Sequence, residues 1–172
     1  MVLGTVVLGG IVIGSGSQPI RGPFQVINDA ASIEPMGIEA ARWTKDWLGS
    51  GNNFAANRVN QLLLATYGDQ NVVTNMATTR SNAVDVSYAF LDDKIDDNAT
   101  AAIKRGRIEY LEVDLRDATD LPVLGAYFLL GEPGGGKRPP PVSTLLKYDN
   151  APEVTRIFDN GHIVIYNVGS IR

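Results

Sequence analysis

Asp114 and Arg116 stand two residues apart in the run "RIEYLEVDLR", residues 107–116. In an extended chain both side chains then project to one face. A guanidinium beside a carboxylate holds hydroxyls or acidic sugars through forked hydrogen bonds. Its plainer role is an ion pair that ties down the following loop. If the run is a strand of an open α/β sheet, its carboxyl end lies where such folds bind ligands. A second stretch, "GEPGGGKRPP" from Gly131 to Pro140, spells the first part of a phosphate-binding loop, G-x-x-x-x-G-K. It departs from the rest of that motif. Arg138 stands where a Ser or Thr would hold Mg²⁺, and Pro139, Pro140 and Pro141 cannot donate N–H groups or continue a helix interior. The stretch reads instead as an exposed, flexible glycine turn and a stiff polyproline arm overhanging the sheet edge, with Lys137 and Arg138 able to meet anionic lipid or glycan.

Other reactive residue types are sparse. His162 is the single histidine, and no partner for a triad or a metal site can be placed beside it, so it reads as a surface or strand-pairing residue. Asp92, Asp93, Asp96 and Asp97 gather at a helix start, where carboxylates cap N–H groups. Their spacing does not match a Ca²⁺ loop. The absence of cysteine excludes thiolate catalysis, Cys-ligated zinc and disulfides. A net charge of −4 argues against a nucleic-acid partner, which needs a basic face. No metal and no cofactor is expected.

The elements that would position these residues follow from pattern. A chain of 172 residues suits one domain with a core of its own. Residues 1–29 read as a strand and linker. Val2–Gly14 is apolar but much shorter than the roughly 20 residues of a spanning helix, and a membrane helix preceding it is a second reading. Residues 30–172 form the domain. Ser32 as N-cap, Pro35 in the first turn and Gly49 beyond the end mark a helix from Ile33 to Leu48. Trp43 and Trp47, four apart, suit core packing. Asn53–Arg58 and Asn71–Met76 read as short strands around the helix "VNQLLLATYG", stopped by Gly68. Ala83–Phe90 stays open between strand and irregular segment. "DDNATAAIKRG" reads as a helix stopped at Gly106, and Arg107–Arg116 as a central strand. "LGAYFLL" suits strand or short helix, and Val142–Asn150 a short helix or turn. The C-terminal "VTRIFDNGHIVIYNV" reads as a hairpin around Asn160-Gly161, both expected at positive φ. The order predicts an α/β fold: a layered, open mixed sheet flanked by helices and closed by a C-terminal antiparallel hairpin.

Taken together, "AARWTKDWLGSGNNFAANRVNQLLLATYGDQ", "GRIEYLEVDLR", "LPVLGAYFLLGEP" and "VTRIFDNGHIVIYNV" resemble the C-terminal region of bacterial polytopic membrane glycosyltransferases of the GT-C type. The resemblance covers roughly residues 30 to 168. It implies a domain on the extracytoplasmic face of the bacterial cell membrane, attached through an N-terminal membrane part that would hold the catalytic acid. No catalytic residue is carried over. Matching positions include Trp43, Arg58, Tyr67, Gly68, Asp114, Arg116, Tyr127 and Gly161; Asn57 departs from an Asp expected before Arg58. The candidate ligand-binding residues are therefore Arg58, Asp114, Arg116 and Tyr127, grouped at the carboxyl edge of the sheet, with a glycan or lipid-linked sugar as partner. Two other readings stand beside a non-catalytic domain positioning a glycan acceptor or partner. One is a purely structural or assembly domain. The other is a stand-alone α/β enzyme limited to carboxylate or Lys chemistry.

Overall fold

The computed structural model describes residues 34–73, 83–122 and 125–171. The expected N-terminal strand, the linker and Ser32 lie outside these residues. The elements are helices α1 (Pro35–Leu48), α2 (Asn60–Tyr67), α3 (Ala83–Leu91), α4 (Asp97–Gly106) and α5 (Val142–Leu145), and strands β1 (Asn53–Ala55), β2 (Asn71–Val72), β3 (Tyr110–Asp114), β4 (Thr155–Asp159) and β5 (Ile163–Asn167). The five strands form one mixed sheet in the order β2-β1-β3-β5-β4. β1 runs parallel to β2 and β3, whereas β5 is antiparallel to β3 and β4. The expected α/β architecture with a closing hairpin is therefore observed.

Two apolar layers follow from the two-residue period of the strands. Phe54, Ile163 and Ile165 meet Ala40, Ala41, Leu63 and Leu64 of α1 and α2. Ala55, Leu111, Val113, Val164 and Tyr166 meet Val86, Phe90, Ala99 and Ile103 of α3 and α4 on the other face. The result is a helix–sheet–helix sandwich in which β3 is covered on both faces.

α1 begins at Pro35, with Glu34 at the N-cap position and no side-chain cap. Its buried face is Gly37, Ala40, Ala41 and Thr44, a stripe of small residues at helical spacing that lets α2 come close. This corrects the expectation for the tryptophans. Trp43 packs on Phe158 with ring centroids 5.0 Å apart, but Trp47 lies off the stripe and is 75% exposed.

Several local expectations change in the same way. β1 stops at Ala55, short of Arg58, and β2 has two residues; Thr74–Met76 of the expected strand lie outside the described residues. Residues from Ala83 onward are helix, because Val86, Ala89 and Phe90 form a stripe against the sheet. Gly106 does not stop α4 by its backbone: it is buried in the last turn, and Arg107 takes the left-handed cap at φ 49°. Asp96 caps α4, accepting from Ala99 N at 2.9 Å, as its position suggested. In the hairpin only Gly161, at φ 86°, is left-handed. Asn160 instead turns its side-chain oxygen back to the N–H groups of His162 and Ile163, and Asn160–His162 form the connection. His162 is exposed there, and its carbonyl accepts from Leu115 N.

Gly68 marks where α1 and α2 meet. A Cβ there would stand 2.7 Å from Leu64 O and 2.9 Å from Ala41 O, both backbone atoms. We expect Gly68→Ala to lower stability by about 1–3 kcal/mol in urea melts, since the two helices must separate to admit the methyl. An unchanged midpoint would show that the crossing is looser than described.

Candidate functional site

The carboxyl ends of β1 and β3 lie side by side, with α2 leaving on one face and α3 and α4 covering the other. In an open α/β sheet this is the crevice where ligands enter. Here the chain's own polar side chains fill it. Arg116 grips Asp114 as a fork, with Nε 2.7 Å from Oδ1 and a second terminal nitrogen on Oδ2. Its other terminal nitrogen pairs with Glu34 at the start of α1. Asn60, the first residue of α2, donates to Asp114 Oδ2 at 2.9 Å. Asn57 accepts from Asn60 N at 3.0 Å and donates to Asp117 at 3.2 Å. An Asp at 57 could accept the first bond but not donate the second, which accounts for the Asn at this position.

Electrostatics follow from crowding. Asp117 is buried, and burial, with Asp114 beside it, pushes its carboxyl well above the usual range. Glu112 is directed toward the α1–α2 layer, in register with Ile165 of β5. Both its oxygens are buried and without hydrogen-bond partners, as are Glu34 Oε1 and Asn60 Oδ1. Burial first, and then Asp114, raise Glu112 well above its ordinary value; Arg116 opposes this only in part. Burial works against the charge of Arg116 itself, and the bonded Asp114, with Glu34, more than offsets it.

All four residues expected from the sequence lie at this edge, in different states. Asp114 is buried, and Arg116 keeps 12% of its side chain exposed. The Tyr127 hydroxyl donates toward the carbonyls of Asp117 and Asp120 at 2.9 and 2.7 Å, and its carbonyl accepts from Arg58 N at 2.9 Å. Arg58 is partly exposed, at the turn between β1 and α2. The structure adds Glu34, Asn60 and Glu112, and brings in Asn57 and Asp117, the acid three residues after Asp114. Asn57 had a sequence signal, being three residues before Asn60 at a helix start. Glu112 had none, because a glutamate in an alternating strand reads as solvent-facing until both faces are known to be covered.

The glycine-rich stretch is also ordered by a carboxylate. Glu132 is buried, and its oxygens accept from Tyr127 N, Phe128 N and Leu129 N at 2.8, 2.8 and 3.3 Å. Of "LGAYFLL", the described residues Gly125–Leu130 are thus neither strand nor helix but a loop wrapped around one side chain. The expected flexible glycine turn is instead a 3₁₀ turn, Pro133–Gly136, packed against α3, and Pro140 of the proline arm is buried.

Two grooves of about 510 and 310 Å³ lie away from this edge. The larger runs along the exposed side of α1 by Arg42 and Trp47. The smaller holds Lys147, whose amine donates to Asp92 O at 2.6 Å and which burial lowers to about 8, against the pull of Asp92.

Fold and edge together define a three-layer α/β domain with a mixed sheet and a self-filled crevice. The structure is similar to the C-terminal globular domain of an oligosaccharyltransferase from Archaeoglobus fulgidus, with a TM-score of 0.57 and 11% identity. The match spans 79% of this chain and 98% of that one, and at this identity it establishes a shared fold. No protein-family model and no curated protein sequence matches the chain.

Two outcomes test the edge. Arg116→Met leaves Asp114 and Glu34 as buried charges without their cation, so we expect a loss of about 3–5 kcal/mol in chemical denaturation. Burial holds the Glu112 carboxyl well above its ordinary 4.5 in the folded state, whereas the unfolded chain releases the proton near that value. Its contribution to stability therefore falls as pH rises through that window. Glu112→Gln should make the decline in stability above about pH 4.5 shallower in urea melts. An unaltered slope would remove Glu112 as its source.

Proposed function

We propose that the chain is a non-catalytic extracytoplasmic domain of a membrane-bound glycosyltransferase-like protein, acting in cell-envelope glycan synthesis by positioning a glycan acceptor or a partner. The observation that carries this reading is the likeness to an oligosaccharyltransferase's C-terminal domain over 98% of that domain's length. The ordered sequence resemblance to membrane glycosyltransferases points the same way. No helix among the described residues is long and apolar enough to cross a membrane.

In this reading Arg58 is the contact residue, because it stands at the rim of the crevice and is partly exposed. Asp114, Arg116 and Tyr127 bear on ligand binding by holding the β1–α2 turn in place: Tyr127 through its carbonyl, Asp114 through Asn60. A second reading, an assembly domain without ligand, is favoured by one specific observation. Both Asp114 oxygens are taken by Arg116 and Asn60.

Titration of the chain with unbranched and acidic oligosaccharides, followed by amide chemical shifts, separates the two. We expect shifts centred on residues 56–60, and at least about tenfold weaker binding in Arg58→Ala at an unchanged melting temperature. The absence of shifts at any sugar concentration would favour the assembly reading.

A further inference from the structure

Five of the six large exposed apolar side chains among the described residues lie on segments that follow the carboxyl ends of β1 and β3; the sixth, Trp47, is on α1. Leu62, Leu121, Leu129, Leu130 and Val142 are each 41–74% exposed. Leu62 lies in the first turn of α2, beside the turn that Arg58 N ties to Tyr127 O. Leu121 follows Asp120, whose carbonyl accepts the Tyr127 hydroxyl. Leu129 and Leu130 come directly after Tyr127 and Phe128, and Val142 opens α5, which packs on the 3₁₀ turn Leu115–Ala118. All five thus belong to the connections at the carboxyl ends of β1 and β3.

Leu130 is held out by construction. Glu132 N bonds Leu129 O at 3.2 Å, closing a four-residue turn, and Gly131 takes φ 98° within it. The Glu132 carboxylate locks the turn from below through three backbone N–H groups. Turn tips ordinarily carry Gly, Asn, Asp, Ser or Pro. A fixed turn that presents the most exposed leucine of the described residues, at 74%, is a contact feature.

Charge and chain direction name the partner. From Leu121 to Leu146 the charged residues are Glu132, Lys137 and Arg138. Glu132 is buried, so the exposed charge of this segment is cationic in a chain of net charge −4. The chain also enters at this edge, because Glu34 pairs with Arg116. The residues before it include the apolar run Val2–Ile13.

We infer that this loop edge seats the protein against an anionic phospholipid surface, with Leu129 and Leu130 entering the headgroup region and Lys137 and Arg138 on the phosphates. Apolar burial and lipid charge then act together, as in other interfacial contacts. The inference deepens the membrane reading above by naming the face that meets lipid. It fails separately from the glycan reading, since vesicles and sugars are distinct probes.

The test is co-sedimentation of the full 172-residue chain with phosphatidylcholine vesicles, with and without roughly 30% phosphatidylglycerol, at low salt and at about 0.5 M NaCl. The expected result is binding to the anionic vesicles that weakens at least about tenfold in high salt and in the double variant Lys137→Glu/Arg138→Glu. Leu130→Ser should weaken it at both salt concentrations. Both variants alter exposed side chains, and an unchanged thermal melt confirms that they fold. Two results overturn the inference: no binding to anionic vesicles, or binding that both variants retain in full, which would place the contact in the residues before Glu34.

Discussion

A single guanidinium holds the functional edge of this protein together. Arg116 carries the positive charge among Glu34, Asp114 and Asp117, with the buried Glu112 nearby. Buried charges persist only when paired and hydrogen-bonded, so the position of Arg116 constrains everything that touches it. Through Glu34 it sets the start of α1, and through Asp114 the end of β3. Asn60 extends the constraint to α2 and Asn57 extends it to the turn after β3. Three segments distant in sequence share one electrostatic knot.

That knot also decides what the edge can do. The crevice that parallel α/β sheets leave open is filled here by the chain's own acids and amides, so their capacity for hydrogen bonding is directed inward. The same device recurs at Glu132, a carboxylate turned into the protein to organise backbone N–H groups, which leaves Leu130 at the tip of a turn. Inward-facing carboxylates thus shape the surface without being part of it.

Much of the architecture was legible because its signals are local. Asp96 before an alanine-rich run, Gly49 at φ 77° after α1, and Asn160-Gly161 between two β-rich runs each act through the backbone of a few residues. The alternation of "RIEYLEVDLR" gave a central strand for the same reason. Where the deciding partner was distant, expectations shifted. Residues 83–91 carry no local signal separating strand from helix, and their helix rests on packing of Val86, Ala89 and Phe90. Trp43 and Trp47 share a helical spacing, but the close approach of α2 requires small residues, which turned Gly37, Ala40, Ala41 and Thr44 inward and left Trp47 in solvent.

The sequence by itself determined the α/β class, the hairpin, and the failure of "GEPGGGKRPP" as a phosphate loop. Each of these depends on spacing or on the covalent limits of a residue, such as the missing N–H of proline. Tertiary structure alone decided that Asp114 and Arg116 face each other within a buried network, that Glu112 lies in the interior, and that Glu132 organises the loop before the prolines. Burial and pairing are properties of what surrounds a side chain. For these residues the surroundings come from segments up to 82 positions away, as in the contact between Arg116 and Glu34.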